Sequence, residues 1–113
     1  MKWASKIKEL LEDGLFVNNL RKIEEVAWEA VKHGQSKFPS YIVYKISGGL
    51  ANYWDDIPLS VDEFKRVDDA LRPPMRVLID AVLSNASQAE IVASVEALIK
   101  MHVDTFRPST SGD

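Results

Sequence analysis

Four start and stop signals divide this chain into helical lengths, and they constrain its fold more than any other feature. Gly14 and Gly34 each follow apolar residues spaced by three and four, and glycine readily takes the left-handed conformation just past a helix end. Ser60-Val61-Asp62-Glu63 and Ser87-Gln88-Ala89-Glu90 are capping boxes. In such a box a serine hydroxyl and a glutamate three residues later satisfy backbone N–H groups that the first turn leaves unpaired. A first helix is predicted over residues 2–13, with Trp3, Ile7, Leu10 and Leu11 on its apolar side. A second starts after Asn18 or Asn19, either able to cap it, and ends at Gly34. Its stripe is Leu20, Ile23, Ala27, Ala30 and Val31, with Val26 and Trp28 at the flanks and Glu24, Glu25 and Glu29 opposite.

After Ser60 the stripe is Val61, Phe64, Val67 and Leu71, until Arg72-Pro73-Pro74 interrupts it. Proline lacks the N–H a helix needs and disfavours helix in the residue before it. Met75, Leu78 and Val82 resume the same phase, so a kinked pair of helices is expected here. The last helix places Ile91, Val95, Leu98 and His102 on one face, with Val92, Ile99, Val103 and Phe106 beside them.

Residues 38–56 are the unusual stretch. They hold five of the ten aromatic residues (Phe38, Tyr41, Tyr44, Tyr53 and Trp54), an adjacent pair Gly48 and Gly49, and the carboxylates Asp55 and Asp56. Tyr41-Ile42-Val43-Tyr44 has strand-like content. No other segment offers it a partner, however, and a lone strand leaves its backbone groups unpaired. Ile42, Ile46, Leu50, Tyr53 and Ile57 follow helical steps, with Lys45, Gly48, Gly49, Asn52 and Asp56 on the complementary side. A helix is therefore predicted, with Pro39 near its start. Each mid-helix glycine costs roughly 1 kcal/mol relative to alanine. Close approach of a neighbouring helix, a break, or a backbone surface open to a ligand would each account for the pair. The expected fold is all-α, a compact bundle of five or six short amphipathic helices. Residues 1–106 read as a single helical domain and 107–113, rich in Ser, Pro and Gly, as a flexible tail.

Composition narrows the functions. A chain of 113 residues, 46% hydrophobic and 27% charged, has enough apolar content for a core. It has no cysteine, which removes disulfides, thiolate nucleophiles and thiolate metal sites and makes a reducing cytoplasm the expected location. The N-terminal residues lack the apolar segment of a signal peptide, and no apolar run exceeds four residues. No membrane association is expected. Lys2, Lys6 and Lys8 are offset by Glu9, Glu12 and Asp13 in the same helix. A net charge of −3 is not that of a domain built to neutralise phosphates.

Chemistry-bearing residues are few. Glu25, Glu29 and His33 share a helix face, but the Glu-x-x-His spacing of helical carboxylate metal sites and a second such helix are both missing. His33 reads instead as a cation at a helix C-terminus. His102 lies on an apolar stripe and has no triad partner at a recognisable spacing. Asp55-Asp56, Asp62-Glu63 and Asp68-Asp69 lack the ligand spacing of a calcium loop. No enzyme activity, cofactor or metal is expected.

Ala70-Leu71-Arg72-Pro73-Pro74-Met75-Arg76-Val77-Leu78-Ile79 resembles the opening of small winged-helix repressors of the ArsR type. Ser87-Gln88-Ala89-Glu90-Ile91-Val92-Ala93 is similar to the first helix of their helix-turn-helix. The resemblance implies a DNA-binding transcription regulator using residues 70–106. The pattern departs from the family after that, because the last helix runs on without a turn glycine where a recognition helix and a two-stranded wing should follow.

The first expectation is accordingly a small cytoplasmic protein-interaction or regulatory protein, with DNA binding as the alternative. Its partner is another protein, or a second copy in a homodimer. Tyr41, Tyr44, Tyr53 and Trp54 are the candidate contact residues and Asp55 and Asp56 the polar rim, since Tyr and Trp are enriched at energetically important interface positions. Tyr53 follows the inward phase, which makes Tyr41, Tyr44 and Trp54 the better surface candidates.

Overall fold

A computed structural model describes residues 2–35 and 37–106, so the expected tail at 107–113 lies outside the described residues. Five α-helices follow one another: α1 (Lys2–Glu12), α2 (Leu20–Lys32), α3 (Lys37–Asp55), α4 (Val61–Leu83) and α5 (Gln88–Phe106). A 3₁₀ turn, Phe16–Asn19, joins α1 to α2. Among the described residues there is no strand, and the Tyr41 segment is helical. Helices α2 and α3 pack as one pair and α4 and α5 as another, while α1 lies against both α2 and α4. Contact between α3 and α5 is slight. The radius of gyration, 14.0 Å, is near the ~13 Å of a compact chain of about this length.

The punctuation works as the local chemistry requires. Gly14 and Gly34 have φ of +62° and +69°. Beyond α2, the Gly34 and Gln35 N–H groups donate to the Val31 and Ala30 carbonyls, which closes the helix end. Asn85, φ +63°, does the same after α4, where the Asn85 and Ala86 N–H groups donate to Val82 and Ala81. Both capping boxes form in both directions: the Glu63 and Glu90 N–H groups donate to the serine hydroxyls at 3.2 Å, and the Ser60 and Ser87 N–H groups donate back at 2.8 and 3.3 Å. Asn19 acts differently from expectation. Its side chain makes no cap bond to α2. Instead it donates backwards to the Leu10 and Asp13 carbonyls, at 2.9 and 3.1 Å, and so satisfies the end of α1.

The prolines do not divide α4, which is one continuous helix with Pro73 and Pro74 inside it. Val67, Leu71, Met75, Leu78, Ile79 and Val82 are buried along a single face on both sides of them. Two interior prolines cost on the order of 3 kcal/mol each, and burial of six large apolar side chains at about 1.5–3 kcal/mol apiece outweighs that. Beside the prolines, Asp68 is 2% exposed and receives Arg72 at 2.6 and 3.0 Å. Arg72 also donates to the carbonyls of Leu11 and Gly14 and lies 5.6 Å from the Phe16 ring centroid. This ion pair ties α4 to the α1 terminus. Arg76 reinforces it with two bonds of 2.6 Å to Glu12, whose carboxyl is held below its ordinary pKa chiefly by that hydrogen bonding.

Helix α3 is rotated relative to its expected phase. Its buried residues are Ser40, Val43, Ser47, Gly48, Leu50, Ala51 and Trp54, whereas Ile42 and Ile46 are half-buried and Tyr53 is exposed. The small residues face inward because α2 comes close enough to fill that side without bulk. A Cβ at Gly48 would lie 2.5 Å from Glu24 Oε2. Gly49 has no such neighbour, for a Cβ there would meet nothing within 4 Å.

Candidate functional site

Helix α3 carries aromatic rings on two sides, and they end in different environments. Toward α2, Trp28 and Tyr44 lie 5.0 Å apart between ring centroids, and Tyr44 lies 6.3 Å from Tyr41. The three form a ladder across the outer surface of the α2–α3 pair. Trp28 is 40% and Tyr41 49% exposed, and Tyr44 is half-buried between them. Beside the ladder is a shallow depression of about 220 Å³, lined by Arg21, Glu24, Glu25, Trp28 and Tyr44. Arg21 forms its polar edge. The guanidinium bonds Glu24 at 2.9 Å, Asn52 at 2.7 Å and Asp55 at 3.0 Å, clasping the two helices.

Toward α5, Tyr53 and Trp54 meet His102 and Phe106. Trp54 is 6% exposed and packs edge-on against Tyr53, His102 and Phe106, at centroid distances of 4.9, 5.8 and 5.0 Å. The Trp54 indole Nε1–H donates to His102 Nε2 at 3.2 Å. An indole nitrogen only donates, so Nε2 is the bare nitrogen of a neutral imidazole whose proton is on Nδ1. Burial holds His102 below its ordinary pKa, consistent with that neutral form. Above this cluster a groove of about 200 Å³ runs between the helices, lined by apolar side chains, the Gly49 backbone, His102 and Lys45.

The sequence candidates are thus dispersed. Tyr41 and Tyr44 share the exposed ladder, while Tyr53 lines the groove and Trp54 is in the core beneath it. The rotation of α3 exchanges the expected places of Tyr53 and Trp54. Asp55 is spent on Arg21, 2.8 Å away at the closest, and Asp56 is exposed in the turn after α3. Trp28 is the residue that sequence reasoning left at the flank of a stripe. A tryptophan set between Glu25 and Glu29, one step off the apolar side, was the available signal that it faces outward.

No family model, curated protein or solved structure matches this chain.

Residues 70–106, the segment of the winged-helix resemblance, form the latter part of α4 and then α5. Among the described residues no three His, Asp or Glu side chains converge as metal ligands, and Glu29 instead pairs with Lys32 at 2.9 Å and with His33 at 3.6 Å. Among the described residues no helix is long and apolar enough to cross a membrane.

Proposed function

We propose that this protein acts by binding another protein, without chemistry of its own, and that the Trp28–Tyr41–Tyr44 ladder is its contact face. The observation that carries the reading is the ladder itself: three neighbouring tilted rings held across two helices, the outer two left in water. Two rings exposed to this degree each keep roughly 100 Å² of apolar surface in solvent, so covering them is worth on the order of 2–3 kcal/mol apiece. That is the magnitude of an interface hot spot. The ladder is also preorganised, because Arg21 already fixes α2 against α3 and little side-chain freedom remains to be lost. A half-exposed tryptophan beside an arginine is typical of such centres.

His102 supports a non-enzymatic reading. Its Nε2, the atom a general base would use, is engaged by Trp54, and burial alone accounts for its lowered pKa. The cysteine-free composition fits work in a reducing compartment such as the cytoplasm.

The test is affinity capture from source-organism lysate with the wild type beside a Trp28→Ser, Tyr41→Ser double variant shown by circular dichroism to be folded. A partner held by the wild type and lost by the variant is the expected result. The same partner held equally by both, or none held by either, would refute the assignment.

A further inference from the structure

The groove between α3 and α5 is a second surface, and it poses a question the ladder does not. Gly49 lies mid-helix on its wall, where glycine costs roughly 1 kcal/mol relative to alanine. Gly48 is explained by Glu24, but none of the described residues occupies the space a Gly49 side chain would take. The backbone is therefore bare toward the groove. Ile46, Leu50, Tyr53, Leu98 and Ile99 supply apolar walls around a space of about 200 Å³. Cavities of ~150 Å³ take a benzene ring, so this one has room for an aliphatic side chain of isoleucine size.

The groove's other wall carries matching side chains. On α5, Val92, Glu96, Ile99 and Val103 follow steps of four, three and four, which sets them on one helix face. Val92, Ile99 and Val103 are 37%, 49% and 46% exposed. This stripe extends along most of a helix roughly 28 Å long. Glu96 puts one carboxylate in the middle of it, and Lys45 puts one ammonium on the rim of the groove. Both are exposed, and among the described residues neither forms an ion pair.

We propose that a second copy of this chain fills the groove: Ile99 and Val103 of one protomer pack over Gly49 of the other, and Glu96 of each meets Lys45 of its partner. A two-fold dimer needs one self-complementary patch on each protomer. Helix α5 supplies this because it is both a wall of the groove and the bearer of the stripe. The charges favour a second copy over an apolar helix, since the groove carries one ammonium and the stripe one carboxylate, and two copies related by a two-fold axis satisfy both at once. The groove adjoins the aromatic ladder along α3, since Lys45 and Gly49 also border a depression lined by Tyr44 and Glu24, but the proposed contact uses α5, which the ladder does not.

Sedimentation equilibrium over a concentration series reads the association directly. Wild-type mass should rise from 12.7 kDa toward twice that value. Lys45→Glu and Glu96→Lys should each weaken the dimer at least tenfold, and the double exchange should restore most of the loss. Both positions are exposed, so the variants retain the fold. A monomer at every concentration overturns the proposal and leaves the groove to another occupant. A dimer indifferent to both single exchanges also overturns it, and its loss in Trp28→Ser would move the self-contact to the ladder.

Discussion

Gly49→Ala separates the energetics of the α3 helix from the use of its surface. Alanine in a helix interior is favoured over glycine by about 1 kcal/mol, partly because the unfolded chain has less freedom to lose. A Cβ at Gly49 meets nothing within 4 Å, so no steric cost opposes that gain. A chain of 113 residues unfolds near its midpoint with an entropy of roughly 0.24 kcal/mol per kelvin, which converts the gain to a Tm increase of about 4 °C. Gly48→Ala is the internal control. Its Cβ would sit 2.5 Å from Glu24 Oε2, so Glu24 must swing away from Arg21, now 2.9 Å distant. Losing an exposed pair of this kind costs about 0–1 kcal/mol, which leaves that variant near the wild type. The assay is calorimetry or urea unfolding at a protein concentration where sedimentation shows the monomer to dominate. The same Gly49→Ala methyl should weaken self-association, so monomer stability and dimer affinity move in opposite directions. A lower Tm for Gly49→Ala, or a larger gain from Gly48→Ala, would refute this account of α3.

Arg72→Met strips the counter-ion from Asp68, which is 2% exposed, and releases the Leu11 and Gly14 carbonyls. Removing one partner of a buried pair costs about 3–5 kcal/mol. Urea unfolding should show a loss of that size, partly recovered when Asp68→Asn is added; a change below about 1 kcal/mol would mean that the pair does not anchor α4. His102 gives a pH signature. Its folded pKa lies below the ordinary 6.5, so the unfolded chain takes up its proton first as pH falls. Its contribution is present above about 6.5 and is lost as pH drops toward the depressed folded value. His102→Gln keeps an acceptor for the Trp54 N–H but does not titrate, so the Tm difference between wild type and variant should change between pH 8 and 5. A constant difference would contradict the buried neutral imidazole.

What could be read in advance was local. Gly14, Gly34 and the two serine–glutamate boxes act through their own few residues, so their roles survive folding unchanged. Asn19 does stand at the start of α2 as expected, but its amide serves the helix before it rather than the one after. The break expected at Pro73 failed because six buried apolar residues outweigh two prolines, an energy visible only once α4 has its neighbours. Helix α3 misled most. Bulk usually marks the inside, but α2 approaches so closely that Ser47, Gly48 and Ala51 are interior, and Tyr53 is left exposed while Trp54 is buried. The composition of the ladder was therefore partly legible, through Tyr41 and Tyr44. Its third member, Trp28, comes from another helix, and only tertiary packing brings it to Tyr44.

Photo-crosslinking from position 41 tests the central reading most directly. A benzoyl-phenylalanine in place of Tyr41 keeps an aromatic ring on the exposed ladder, and the same group at Lys65, exposed on α4, serves as the control. In cells of the source organism, the account predicts a discrete adduct with another protein from position 41 and none from position 65. No adduct from 41, or the same adducts from both positions, would contradict it.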